Sequence, residues 1–260
     1  MASPMSSSPR RITSRRNAHF QRWRSLWESK GIKMHQQCLV SGEKLVNETL
    51  MAHPALCDEL IETESYQRPA TQPSDLARFC ITNDLFRELD RFGTHYPLLV
   101  CRLPSLPKAD LTQAPSGLEM LCPAGDPANL GAIIRSCSAF GVHRVVLLRE
   151  AAHPFHPKTI RTSSGAVFRQ SMEWGPGIAE LAASRLLKWV TALDLRGTSL
   201  STYIWPQAVR LLVGEEGTGL PDLPFVTRIV IPHTLAVQSL NAAVAASIAL
   251  FAYRQSYPLP

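Results

Sequence analysis

What this 260-residue chain lacks narrows it before anything it contains. Its six cysteines, Cys38, Cys57, Cys80, Cys101, Cys122 and Cys137, form no C-x-x-C pair and have no zinc spacing. That pattern provides neither a structural metal site nor a redox dithiol. No secretory leader points to an oxidising compartment, so buried free thiols are expected. A long unbroken apolar run is also missing. The best candidate, Leu235 to Tyr253, is interrupted by Gln238, Ser239, Asn241 and Ser247, and reads as a buried helix of a soluble protein instead of a membrane span. The dinucleotide fingerprint G-x-G-x-x-G is absent too. The glycines of LLVGEEGTGLP, Leu211 to Pro221, run G-x-x-G-x-G, and no acidic residue follows about twenty positions on at a strand end, which excludes a nicotinamide-dependent oxidoreductase.

Acidic residues are scarce at the front. Between Arg10 and Lys33 there are eight Lys or Arg residues and a single acid, Glu28, whereas the whole chain carries only +6. Phe20, Trp23, Leu26 and Trp27 fall at helical spacing there, with Arg22, Arg24 and Lys30 off the stripe. Transit-peptide composition is one reading of this segment. The better one is a basic amphipathic helix that packs by its aromatics and shows its cations to a polyanion. At 45% apolar and 18% charged residues, the remainder can bury a full core.

Four stretches follow from texture. Residues 1–33 form the basic N-terminal extension. Residues 34–102 mix short strands (QQCLV, RFCIT) with charged helices (EKLVNETLM, DLFRELDRF) and read as a small α/β unit. Residues 103–117 hold prolines without a clear period and read as a linker. In residues 118–260 strand-length runs alternate with helical patterns, which means a mainly parallel sheet covered by helices. Ligands of such sheets sit outside the carboxyl ends of the strands, so the loops after LLVG and IVIP become candidate ligand walls.

Three constellations carry the chemistry. In GDPANLGAIIRSCSAFG, Asn129 stands where it can cap the helix, and Arg135 lies off the apolar face. Arg135 is either a solvated residue or the holder of an anion or a ribose edge. In the glycine loop, adjacent Glu215 and Glu216 would repel a pyrophosphate, so a ligand with hydroxyls and a positive centre suits it better, as S-adenosylmethionine has. In IPHTLAVQSLNAAVAASIALFAYRQ, Ser239 can serve as the helix N-cap. Asn241 then falls in the first turn, where a mediocre helix former needs a reason to be. Leu240, Val244, Ile248 and Phe251 of the same helix could face a core or a partner subunit.

In this order, the segments DPANLGAIIRSCSAFGVHRVVLL, RLLVGEEGTGLP and IVIPHTLAVQSLNAAVAASIALFAYRQ, with KTIRTSSGAVFR between them, resemble the SpoU (TrmH-like) RNA 2′-O-ribose methyltransferases of the SPOUT superfamily. The resemblance covers 118–255 and extends more faintly to the front. It implies a trefoil-knotted α/β catalytic domain with a mainly parallel sheet, preceded by a small α/β ribosomal-protein-like domain that grips RNA. It also implies a homodimer, S-adenosylmethionine as methyl donor, no metal and no membrane, and a cytoplasmic enzyme acting on ribosomal RNA before transfer RNA. By resemblance the cofactor contacts fall on Gly214, Ile231 and Leu240. Arg135 and Asn129 serve the transfer itself, and Glu216, Ser239 and Asn241 build the loop geometry. Glu215, His233 and Leu235 depart from the family's usual Asn, Met and Gly. A protein that binds RNA without turnover is the reading these departures keep alive.

Overall fold

The computed structural model describes residues 8–66, 76–184, 187–214, 220–221, 223, 226–234 and 236–259. The chain divides into two compact units, one of Met1–Pro104 with Phe155–Arg161, the other of Ser105–Pro154 with Thr162–Pro260.

The first unit is built on β1 (Arg10–Ile12), α1 (Ala18–Ser25), α2 (Ser29–His35), β2 (Gln37–Val40), α3 (Glu43–Ala52), β3 (Cys57–Thr63), β4 (Ala77–Ile81), α4 (Asn83–Leu89) and β5 (Leu98–Arg102). The sheet runs β1-β4-β3-β5-β2, with β1, β4 and β3 parallel and β5 antiparallel to both β3 and β2. Of the extension expected over 1–33, residues 10–33 are part of this unit's frame. β1 pairs with β4, and Phe20, Trp23, Leu26 and Trp27 enter one apolar cluster with Ile61, Phe79 and Leu98. The aromatic stripe is the reason: burying four such side chains outweighs leaving a helix free in water. Arg22 also turns inward, donating to both oxygens of buried Glu59 at 2.7 and 2.6 Å, while Trp23 Nε1 donates to the same carboxylate at 2.7 Å. At Gly31 a Cβ would lie 2.1 Å from the Ser25 carbonyl oxygen, so the close passage of α2 past α1 requires glycine.

All six cysteines are free thiols, five of them buried and Cys80 half-buried. Cys101 faces Cys38 on one neighbouring strand and Cys57 on the other. The hydrogen bond to Cys101, with burial, pushes Cys57 far above the ordinary thiol range, which leaves it unreactive.

The second unit carries β6 (Leu118–Cys122), α5 (Pro127–Ala139), β7 (Val145–Leu147), α6 (Pro157–Thr162, nearly all of it within the first unit), β8 (Met172–Trp174), α7 (Ile178–Ala183), β9 (Val190–Ser199), β10 (Val209–Leu212), β11 (Thr227–Val230) and α8 (Ala242–Ser256). Its sheet has the order β11-β9-β10-β6-β7-β8, and every strand pairing among the described residues is parallel. The central strands β6 and β10 are buried on both faces, as the inner strands of a parallel sheet are, and each carries one buried charge, Glu119 and Arg210.

Of the linker expected over 103–117, residues from Ser105 onward belong to this unit and are tied into it. Ala109 N donates to the Trp174 carbonyl at 2.8 Å, and Trp174 N to the Pro107 carbonyl at 2.8 Å, which extends the edge of the sheet beyond β8. Leu111 is buried in the core. Arg210, with 0% exposure in the middle of β10, donates to the carbonyls of Leu111 at 3.0 Å and Gln113 at 2.6 Å and to Glu119 at 2.9 Å. Glu119 accepts in addition from Arg144 at 3.1 Å and from the Ser116 backbone N–H at 3.2 Å. A proline-rich stretch can thus be ordered through its carbonyls, which a search for apolar periodicity does not register.

Among the described residues no helix is long and apolar enough to cross a membrane, and no group of three or more His, Cys, Asp or Glu residues could hold a metal ion.

Candidate functional site

β6 and β10 lie side by side, and the sheet grows from β6 toward β7 and β8 on one side and from β10 toward β9 and β11 on the other. The crevice outside the carboxyl ends of two such strands is where an open α/β sheet receives ligands. The chain leaving β6 enters α5 here. Its N-cap is Asp126, whose carboxylate accepts from the N–H groups of Ala128 (2.8 Å) and Asn129 (3.0 Å), with Pro127 opening the helix. Asn129 therefore does not cap the helix, as its position had allowed; it sits inside the first turn.

At the other end of the motif set, Asn241 is the N-cap of α8. Its Oδ1 accepts from Ala243 N at 3.0 Å and Val244 N at 3.3 Å, and its Nδ2 donates to Asn129 Oδ1 at 3.0 Å. The helix consequently starts after Asn241, and Ser239, exposed two residues earlier, is not its cap. The mediocre helix former has its reason: one amide closes α8 and joins it to the first turn of α5. Farther along, Ser136 Oγ and Ser247 Oγ meet at 2.7 Å between the same two helices.

Gly214 lies two residues beyond the end of β10, after Val213. A Cβ there would stand 3.8 Å from the Leu193 carbonyl oxygen and 3.9 Å from Leu220, ordinary contact distances, so neither sterics nor backbone angle demands glycine. Ile231 leaves β11 half-buried, and its carbonyl lies 2.8 Å from Nδ1 of His233, the residue that replaces the usual Met. Leu240 is half-buried beside Asn241. Arg135 is exposed on α5, six residues and about 9 Å of helix rise beyond Asn129, and has no ion pair among the described residues. The structure thus joins Asn129 to Asn241 and leaves Arg135 apart from that pair. Glu215, Glu216 and Leu235 lie outside the described residues.

Sequence reading passed over a bracket beside Gly214. The pairing of β11 with β9 jumps between Arg228, opposite Ala192, and Ile229, opposite Thr198, so residues 193–197 form an excursion at the end of the sheet. Gly197 closes it at φ 142°, where a Cβ would be 2.2 Å from the Arg228 carbonyl oxygen. Arg228 bonds the Asp194 carboxylate and donates to the Pro221 carbonyl at 3.0 Å, tying β11, the excursion and the far end of the glycine loop together. A glycine within a strand-length run was the available signal.

A family model described as the SpoU rRNA Methylase family matches residues 120–251. The chain is 40% identical over 249 residues to a Syntrophobacter fumaroxidans protein named ribosomal RNA small subunit methyltransferase G 2, covering 95% of this chain but only 49% of that one. It is 27% identical to the 23S rRNA (guanosine(2553)-2′-O)-methyltransferase RlmP of Bacillus subtilis, over 94% of this chain and 99% of the relative. A solved Porphyromonas gingivalis structure, assigned to RNA methyltransferases of the TrmH family, superposes with a TM-score of 0.72 at 30% identity, covering 92% of this chain and 98% of its own. An AdoMet-bound rRNA methyltransferase from Sinorhizobium meliloti, at 22% identity and a TM-score of 0.77 over 96% of this chain and 99% of its own, shares the fold.

Proposed function

The chain belongs to the SpoU rRNA methylase family, and on that premise we propose that it transfers a methyl group from S-adenosylmethionine to a ribose 2′-hydroxyl of RNA, ribosomal RNA before transfer RNA. The observation that best supports this is the convergence of motifs remote in sequence. Asn129 and Asn241, 112 residues apart, are hydrogen-bonded to each other, and Gly214 and Ile231 each lie just beyond the carboxyl end of a strand, β10 and β11.

The residues present fit an adenosyl ligand. The space next to the Cβ-less Gly214 is bounded by a backbone carbonyl and a leucine, walls suited to a nucleoside and to a cation and not to a pyrophosphate. When bound, the cofactor supplies an activated methyl on a sulfonium. Gly214, Ile231 and Leu240 hold it, Glu216 and Ser239 shape the loops around it, and the Asn129–Asn241 pair fixes the relation of the two helix starts. What the protein must add is orientation of the 2′-hydroxyl and help in removing its proton. A guanidinium is a poor base, so Arg135 acts as the clamp on the neighbouring phosphate, lowering the cost of negative charge on the attacking oxygen.

The β9-to-β10 connection joins neighbouring parallel strands with no helix between Ser199 and Val209, an unusual crossover; a trefoil knot in the second unit is part of the same proposal and rests on membership of the family. The first unit is the RNA-gripping domain of ribosomal-protein-like fold. Two copies assemble through α8, which exposes Val244 at 48%, Ile248 at 37% and Phe251 at 54%. The place of action is the cytoplasm, with the ribosomal RNA. Mapping 2′-O-methyls across total RNA from cells with and without the gene tests the reading. One ribosomal site should vanish with the gene. An unchanged map would point to an RNA-binding protein without turnover, and a lost transfer-RNA site to the other substrate.

A further inference from the structure

Six arginines of the first unit have carboxylate partners among the described residues, Arg11 with Glu64 and Arg102 with Asp58 among them. Arg15 pairs with Glu88, Arg22 with Glu59, Arg78 with Glu62 and Arg87 with Asp84. Arg91 and Arg161 are arranged differently. The Arg91 guanidinium lies 4.9 Å from the Trp27 ring centroid, and the Arg161 guanidinium lies 4.6 Å from that of Phe92. The two rings are themselves neighbours, with centroids 5.0 Å apart. Trp27 is fixed by burial and by its Nε1 donating to the Leu89 carbonyl at 3.0 Å, so the platform is rigid. Both arginines are exposed, and neither has a carboxylate partner among the described residues. Stacking occupies the flat face of a guanidinium and leaves its in-plane N–H donors pointing outward, in the fork that fits phosphate oxygens.

The two cations come from distant parts of the sequence. Arg91 follows α4, and Arg161 lies on 155–161, the segment between β7 and β8 that belongs to the first unit while the residues on either side of it belong to the second. The segment is held to the first unit by Trp27, whose carbonyl lies 3.0 Å from His156 Nε2. Burial first, and then the charges of Lys158 and Arg91, lower the His156 imidazole from its ordinary range, against the Trp27 carbonyl and Glu28, which would raise it. Positive charge therefore gathers around this aromatic platform, with Glu28 as the acid nearby.

We propose that Arg91 and Arg161, parked on Trp27 and Phe92, form a phosphate-gripping surface for the RNA backbone on the first unit, built from none of the residues assigned to methyl transfer. The inference rests on the reading of the chain as an RNA methyltransferase and names a surface that substrate uses. The contacts are to phosphate, so they set affinity and register and not base identity. Arg161 itself stands in the KTIRTSSGAVFR motif, two residues before Ser163.

The test uses the full chain, with Arg91→Ala, Arg161→Ala, the double variant and the double Lys variant. Binding to protein-free ribosomal RNA is measured by filter retention across a salt series, alongside calorimetric S-adenosylmethionine binding and thermal melting. The double Ala variant should bind RNA on the order of tenfold or more weaker. Its log–log salt slope should shrink by about 0.7–0.9 for each phosphate that is no longer neutralised. Cofactor affinity and melting should be unchanged, and the Lys variant should recover the slope but not the full affinity. Unchanged RNA affinity in a folded double variant that still binds cofactor would overturn the surface alone. A loss of RNA affinity that tracks a fall in melting temperature would make the pair structural and overturn it as well. Failure of the unmodified chain to bind either RNA or cofactor would instead remove the methyltransferase reading on which the inference rests.

Discussion

Asn241 and Arg135 stand at opposite ends of what a sequence discloses. The Asn241 amide is engaged at both ends, with its oxygen accepting from the first turn of α8 and its nitrogen donating to Asn129. Arg135 is exposed and has no ion pair among the described residues. A residue kept only for solvation would tolerate Arg135→Ala with a stability change within about 0.5 kcal/mol and intact activity. A phosphate clamp predicts that single-turnover methylation falls on the order of 100-fold or more with cofactor affinity nearly unchanged, and that Arg135→Lys rescues little. Full activity in Arg135→Ala would end the assignment. Residue identity was legible at these positions, but hydrogen-bond partnership was not. Asn129 and Asp126 both have the chemistry of a cap, and only the backbone path decides that Asp126 takes it.

Strands and helices of the second unit were readable because burial imposes period on them: β6, α5, β10, β11 and the core of α8 lie where apolar spacing puts them. The stretch before β6 was not readable, since Arg210 and Trp174 hold it by its backbone. Glu119, with 1% exposure, is the hinge of that arrangement. Burial alone would raise its carboxyl, but hydrogen bonds from Arg144 and Arg210 prevail and hold it below its ordinary value. A carboxyl lowered in the folded state stabilises the fold above its unfolded pKa of about 4.3 and loses that contribution as pH falls through the lower folded value. Acid titration of the melting temperature should show this loss. Glu119→Gln should abolish that part of the pH dependence and cost about 3–5 kcal/mol near neutrality, because Arg210 is left buried without its counter-charge. A variant as stable as the parent in urea unfolding would refute the role. For α8, Phe251→Glu puts a charge on the exposed apolar face and should give monomers or insoluble protein. Light scattering that finds the unmodified chain monomeric at micromolar concentration would contradict the dimer.

Across the whole molecule, the sequence suggested two α/β regions, and the structure shows two units whose chain paths interleave. The first unit takes in the basic front and a strap from between β7 and β8. Neither was visible in composition: cations off an aromatic stripe look like a free helix until the stripe is seen to fill a core. The chain spans 49% of the Syntrophobacter relative and 99% of the Bacillus one, so a similar sequence occurs both within a longer protein and as nearly an entire chain. The most direct test of the account is transfer itself. Purified protein is incubated with protein-free ribosomal RNA and S-adenosylmethionine labelled in its methyl group, and the RNA is digested to nucleosides. The account predicts label in a single 2′-O-methylated nucleoside, at near-stoichiometric yield. Label on a base, or no label in RNA from protein that binds both cofactor and RNA, would contradict it.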